Sequence, residues 1–276
     1  MHTSSPHALY FSPTGTTRRV AAAIARGIAG TAPIAETDLT HAPAPARTLA
    51  PETVAILAAP VYGGHIPPVV LERLEALRGN DTPAVIVAVY GNRAFGQAVA
   101  ELADFAAQHG FRPIAAAACV GEHSYSTPAT PIAAGRPDAE DLAEAAAFGE
   151  RIREKLRCDD LRAVDVRRLH APRTPLLSLA RFIGFVLAYR RRQRQNPIVR
   201  TPVVDTDRCT RCGRCASLCP TQAIAPGNET HTDPARCLRC CACVKGCPAA
   251  ARSYDTPFAA ALARNFARRK PPVTLL

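Results

Sequence analysis

The feature that most constrains this 276-residue chain is a cysteine run that occurs twice. Cys209-x2-Cys212-x2-Cys215-x3-Cys219-Pro220 recurs 28 residues later as Cys237-x2-Cys240-x2-Cys243-x3-Cys247-Pro248. Nine of the 11 cysteines lie between Cys209 and Cys247. An odd total in tight, regular steps argues against a secreted disulfide framework, and the opening MHTSSPHALYF has no apolar stretch of signal-peptide length. Metal or cluster ligation is the reading left.

In a C-x2-C-x2-C-x3-C-P run, three thiolates on one tight loop hold a [4Fe-4S] cube and the fourth Cys reaches the other cube. The repeat therefore predicts two [4Fe-4S] clusters with exchanged ligands: Cys209, Cys212, Cys215 and Cys247 for one, and Cys237, Cys240, Cys243 and Cys219 for the other. Zinc sites normally use two separated thiolate pairs rather than overlapping steps. Cys241, which stands where the first run has Gly213, is read as a non-ligand. Cys119 and Cys158 are given no role, because unligated cysteines usually behave as small hydrophobes.

Charge divides the chain. Residues 1–160 hold 13 basic and 17 acidic residues, whereas 161–276 hold 21 basic and 6 acidic. A basic half suits nucleic acid or an anionic membrane, but two anionic clusters and a bound phosphate would offset much of it. The basic stretches also lack the interleaved aromatics on which single strands stack. Nucleic acid is not expected as a partner.

Residues 7–157 alternate short apolar runs with Ala-rich amphipathic stretches, the pattern of a parallel α/β fold. Strands are predicted at 7–11, 34–38, 54–59, 84–90 and 113–120, and helices at 17–29, 67–77, 93–109 and 138–156. The Pro/Ala-rich 42–51 segment replaces a second helix. The expected organisation is an α/β domain over 1–160, a basic linker over 161–198, a cluster domain over 199–256 and a basic tail over 257–276. Within the linker, the apolar stretch Leu176 to Tyr189 leads into Arg190, Arg191, Arg192 and Arg194. It reads as a helix packed on a domain with solvated arginines, or, over 176–194, as a contact with an anionic membrane surface. No run of about 18 uncharged apolar residues is present, and a cytoplasmic location is expected.

The first predicted strand ends in Ser12-Pro13-Thr14-Gly15-Thr16-Thr17 and runs into a helix, where hydroxyls and backbone N–H groups suit a phosphate. No Lys follows the Gly, so this is not a nucleotide P-loop. The segment resembles the flavodoxin phosphate loop T/S-x-T-G-x-T, with Ser12, Thr14, Gly15, Thr16 and Thr17 matching. The resemblance implies a flavodoxin-like five-stranded, parallel, doubly wound sheet that binds FMN. It also implies flavin contacts from Tyr62, Gly63 and Gly64 after the third strand and from Tyr90, Gly91 and Asn92 after the fourth. Tyr62 or Tyr90 would stack on the ring and the Gly63 backbone would bond its N5. Taken whole, the chain resembles flavodoxin-ferredoxin fusions, with a small α+β two-cluster ferredoxin domain at its C-terminal end. The loop Gly121 to Ser126 also resembles that family, with His123 and Tyr125 approaching the flavin.

The expected function is electron transfer among a low-potential redox-partner protein, two [4Fe-4S] clusters and FMN. Arg211, Arg214, Arg239 and Lys245 would raise the cluster potentials. A flavin-dependent reductase of a quinone, nitro compound or other small acceptor is the alternative, and a homodimer is compatible with either. No G-x-G-x-x-G unit offers an NAD(P)H site. Nor do the flavodoxin-like loops show a catalytic acid, base or nucleophile constellation.

Overall fold

The computed structural model describes residues 5–276. In chain order the elements begin with β1 (Ser5–Tyr10), α1 (Thr16–Ala29), β2 (Ala35–Asp38), β3 (Arg47–Leu49), β4 (Thr53–Pro60), α2 (Pro68–Leu74) and β5 (Leu77–Gly79). There follow β6 (Thr82–Tyr90), α3 (Ala98–Gln108), β7 (Phe111–Val120), α4 (Ala139–Arg157) and α5 (Leu176–Gln195). The chain continues through β8 (Val203–Val204), α6 (Arg214–Ser217), α7 (Ala242–Lys245), β9 (Arg252–Ser253), α8 (Pro257–Asn265) and β10 (Val273–Leu275). Contacts divide these into two compact units. One takes the chain up to Glu122 with Gly135–Pro172 and Lys270–Leu276, and the other takes His123–Ala134 with Arg173–Arg269.

The first unit is built on a six-stranded sheet of order β10-β7-β6-β4-β1-β2. Its five parallel strands, renumbered among themselves, run 2-1-3-4-5, which is the flavodoxin-like order. All nine residues of β6 are buried, as expected of a parallel strand covered on both faces. Helices α1 and α4 meet backbone to backbone: a Cβ on Gly27 would stand 2.1 Å from the Ala146 carbonyl oxygen, and one on Gly149 would stand 2.2 Å from that of Ile24. Any side chain at either glycine would force the helices apart. The 42–51 segment forms no helix; it supplies β3, which pairs in parallel with β5.

The sixth strand was not anticipated. Residues 257–276, expected as a basic tail, form α8 and β10. Phe258, Leu262 and Phe266 recur at helical spacing and are drawn into an apolar cluster, while the β-branched Val273-Thr274 pairs antiparallel with Ala118 and Ala117 of β7. Arg136, held by the buried carboxylate of Asp141 (Nε to Oδ2 2.7 Å), donates from Nη1 to the Lys270 carbonyl at 2.9 Å. That bond fixes the chain just before β10.

In the second unit, α5 packs against α8 through edge-to-face aromatic pairs, Phe182 with Phe266 at 5.0 Å and Phe185 with Phe258 at 5.1 Å. Ile132, from the segment after β7, is fully buried in the same cluster. The cysteine repeat folds as two copies of one loop. Arg211 and Arg239 both take positive φ (52° and 56°), as do Gly213 and Cys241 (73° and 59°) and Gln222 and Ala250 (53° and 47°), each pair 28 residues apart. The short antiparallel pair β8-β9 and the one-turn helices α6 and α7 complete this part.

Candidate functional site

The two loop copies enclose two pockets. Cys209, Cys212, Cys215 and Cys247 line one, with Glu229 and Arg252 also on its wall. Cys219, Cys237, Cys240 and Cys243 line the other, with Cys241 beside them. Each pocket thus draws three cysteines from one run and the fourth from the other. The thiols ring the cavities rather than meeting at a point: among the described residues no three His, Cys, Asp or Glu side chains converge on a single-ion site. Backbone donors face the fourth sulfur of each set, Ala223 N to Cys219 Sγ at 3.2 Å and Ala251 N to Cys247 Sγ at 3.3 Å. Burial pushes the Cys240 thiol up to about 12 and the Cys243 thiol up to about 11. Buried thiols of this kind ionise when a metal takes them, with release of protons.

Arg211, Arg214, Arg239 and Lys245 are all exposed. The cation that does touch sulfur is Arg252, which sequence reasoning missed. It is buried, donates to Cys215 Sγ at 3.5 Å, and is anchored by the Glu229 carbonyl (2.6 Å) and Thr232 Oγ1 (2.5 Å). His123 and Tyr125, expected near the flavin, pack within the second unit. Tyr125 N donates to His123 Nδ1 at 3.0 Å, and the Tyr125 ring lies 5.2 Å from that of Tyr254, just after β9. Burial raises the Tyr125 hydroxyl well above its ordinary range, with Tyr254 and Cys241 adding to the shift.

In the first unit, the loops after β1, β4 and β6 emerge at the carboxyl ends of parallel strands, where doubly wound folds bind ligands beside the topological switch point. Gly15, at φ 80°, leads directly into α1 and makes no side-chain cap; the first turn of α1 holds no acidic residue. Ser12 Oγ accepts from Arg18 N at 3.0 Å, and Thr14 and Thr16 are half-exposed. Thr17 is buried, so its hydroxyl packs inward and the open ones are those of Thr14 and Thr16. An N-terminus with these hydroxyls and no nearby carboxylate in its first turn fits a phosphate.

After β4, Tyr62 and His65 exchange backbone hydrogen bonds (2.9 and 3.2 Å) across Gly63 and Gly64, both at positive φ. A Cβ on Gly63 would meet nothing within 4 Å, so its backbone is open to a ligand. Glu101 of α3 clamps the loop, with Oε1 2.5 Å from His65 Nδ1 and Oε2 accepting from Ile66 N at 2.9 Å. This His–carboxylate pair was not legible from the sequence, where Glu101 lies 36 residues away. The Gly64 Cβ position is 3.9 Å from Arg93 Nη2, which brings the Arg93 guanidinium to this loop.

After β6, the structure corrects the expectation for Tyr90. Its ring is 1% exposed and lies edge-on to Phe95 at 5.6 Å, so it belongs to the core and cannot stack on a flavin. Tyr62, the other residue expected to stack, is half-buried. Asn92, at φ 63°, is also buried, leaving the backbone around Gly91 as the accessible part of this loop.

The 4Fe-4S binding domain family matches residues 202–225. No curated protein matches the chain. Among solved structures, it is similar to a flavodoxin from the domain Archaea (15% identity over 55% of this chain and 99% of that one, TM-score 0.39). An azoreductase from Bacillus anthracis str. Sterne (12%, 54% and 99%, 0.38) and an NAD(P)H:quinone oxidoreductase from Methanothermobacter marburgensis (11%, 56% and 98%, 0.35) are similar to comparable extents. With the 2-1-3-4-5 strand order in one unit and the 4Fe-4S family in the other, the chain is a fusion of a flavodoxin-like fold with a ferredoxin-like iron-sulfur domain.

Proposed function

We propose that this protein transfers electrons between a low-potential redox-partner protein, two [4Fe-4S] clusters and FMN. The observation that carries the reading is the pair of pockets, each ringed by three cysteines of one run and the fourth of the other. That arrangement fits two polynuclear clusters, one per quartet. The flavin reading rests on the Ser12 to Thr16 loop at the α1 N-terminus and on the open Gly63 backbone. FMN exchanges electrons singly or in pairs whereas a cubane passes one at a time, so a chain with both joins donors and acceptors of different electron number. The residues of this chain supply the thiolates, the Arg252 charge, the backbone donors and the phosphate-binding turn.

One observation favours the reductase alternative. The side chain of His65 is exposed and hydrogen-bonds Glu101, an arrangement that orients an imidazole for proton transfer on a candidate flavin loop. The testing experiment is an anaerobic inventory of iron, acid-labile sulfide and acid-released flavin, followed by assay of reduced protein against ferredoxin-like proteins and small acceptors. The carrier reading expects eight irons, eight sulfides and one FMN per chain, two cubanes and one flavin site, with rapid exchange with protein partners. Stoichiometric zinc without labile sulfide would sink the cluster assignment. Fast, saturable turnover of a small acceptor that His65→Gln abolishes, with flavin retained, would favour the reductase.

A further inference from the structure

The α5 helix has two apolar faces, and only one is covered. Phe182, Phe185 and Val186 pack into the cluster with Ile132, Phe258, Leu262 and Phe266. On the other side Leu176 is 83% exposed, Ile183 49% and Leu187 61%, with Leu177 and Leu179 flanking them. Among the described residues nine large hydrophobics are exposed, and eight of them lie between Leu176 and Val203. That concentration is not the scatter of single apolar side chains usual on a surface.

At 3.6 residues per turn, Leu176, Ile183 and Leu187 fall on one stripe, and Arg190, Arg191 and Arg194 continue it towards the helix C-terminus. These arginines are exposed, as is Arg181 to one side. No acidic residue occurs between Asp165 and Asp205. We propose that α5 lies flat on the surface of an anionic phospholipid bilayer, with the leucine and isoleucine stripe in the headgroup-acyl boundary and the arginines on lipid phosphates. An apolar stripe ending in arginines is the chemistry of an interfacial helix. No helix of the described residues is long and apolar enough to cross a membrane, so the helix would lie on the bilayer and not span it. A second copy of the chain fits this face less well. Two such faces together would oppose arginines to arginines or to helix N-termini, with no carboxylate on α5 to compensate them.

The test is co-sedimentation of the anaerobically purified full chain with vesicles of phosphatidylcholine alone and of phosphatidylcholine with about 30% phosphatidylglycerol at moderate salt. Binding to the anionic vesicles is expected to be at least about tenfold stronger and to weaken as salt rises. The paired substitution Ile183→Asp with Leu187→Asp should abolish it, and Arg190→Gln with Arg191→Gln and Arg194→Gln should abolish the preference for anionic lipid. Both sets of side chains are exposed, so iron content and circular dichroism should be unchanged and serve as the folding control. Equal binding to both vesicle types, or anionic binding that survives both variants, overturns the proposal. So does a concentration-dependent dimer, lost in the aspartate variant, with no vesicle binding; that result would assign the face to a second copy.

Discussion

Arg252 donates from its guanidinium to Cys215 Sγ at 3.5 Å, and its charge also lowers the Cys243 thiol against the larger upward push of burial. One buried cation therefore acts on a sulfur from each quartet. Positive charge and N–H donors at cluster sulfurs favour the more electron-rich state. Arg252→Gln is expected to lower the reduction potentials of both clusters by tens of millivolts, whereas Arg214→Gln, at an exposed position, should move them little. The loss of the bonds to the Glu229 carbonyl and Thr232 should also cost about 1.5–3 kcal/mol of stability. Potentiometric titration followed by paramagnetic resonance, with chemical denaturation alongside, measures both effects. A shift confined to one cluster would contradict the bridging role.

Exchange of ligands between the runs gives a second expectation. Cys219 lines the pocket of Cys237, Cys240 and Cys243, so Cys219→Ser should perturb that cluster and leave the one at Cys209, Cys212 and Cys215 in place. Cys241 occupies a left-handed backbone position where its counterpart is glycine. Left-handed backbone costs a residue with a Cβ roughly 1–2 kcal/mol. Cys241→Gly should therefore keep both clusters, and relief of that strain should offset much of the burial lost. Iron counts and resonance spectra of the two variants decide this. Loss of a cluster in Cys241→Gly would make Cys241 a ligand.

His7, in β1, is buried beside Arg47, its Nε2 2.9 Å from Thr37 Oγ1. Burial, and then the Arg47 charge, lower its pKa from 6.5 to about 4. The unfolded chain takes up this proton first as pH falls. The stabilisation held by neutral His7 is thus fully present above pH 6.5 and is lost between there and about 4, a total of about 3 kcal/mol at about 1.4 kcal/mol per unit. Urea unfolding should show the parent chain losing about 2 kcal/mol more than His7→Gln between pH 7 and 5. Parallel pH profiles for the two would remove His7 as the cause.

How much of this was legible in the sequence depends on how local each determinant is. Thiolate spacing is a property of a few consecutive residues, and fully buried parallel strands such as β4 and β6 read as continuous apolar runs. Tyr90 closes such a run, and a run without alternation does not say which way its last side chain points. Arg252 was hidden among 21 basic residues because its burial is set by Glu229 and Thr232, some twenty positions earlier. The repeat held a usable signal: 28 residues before Arg252 stands Ile224, a 2% exposed core residue. A charge at the counterpart of a core position marks a buried cation. The 123–134 segment follows β7 directly, yet it packs among α5 and α8 residues whose spacing from it no local pattern encodes.

The antiparallel strand β10 makes the flavodoxin-like unit discontinuous along the chain. Its β7 edge, lined by Ala116, Ala117 and Ala118, waits for residues 273–275, and the Arg93 carbonyl waits for Lys270 Nζ, 2.6 Å away in the finished fold. During synthesis from the N-terminus, every cysteine of the repeat leaves the ribosome while that edge is still open. A chain stalled before β10 pairs presents an open strand edge lined by alanines, of the kind that recruits other chains. Cutting within 161–198 would not liberate a self-contained flavodoxin; a separable half must carry its last strand with it.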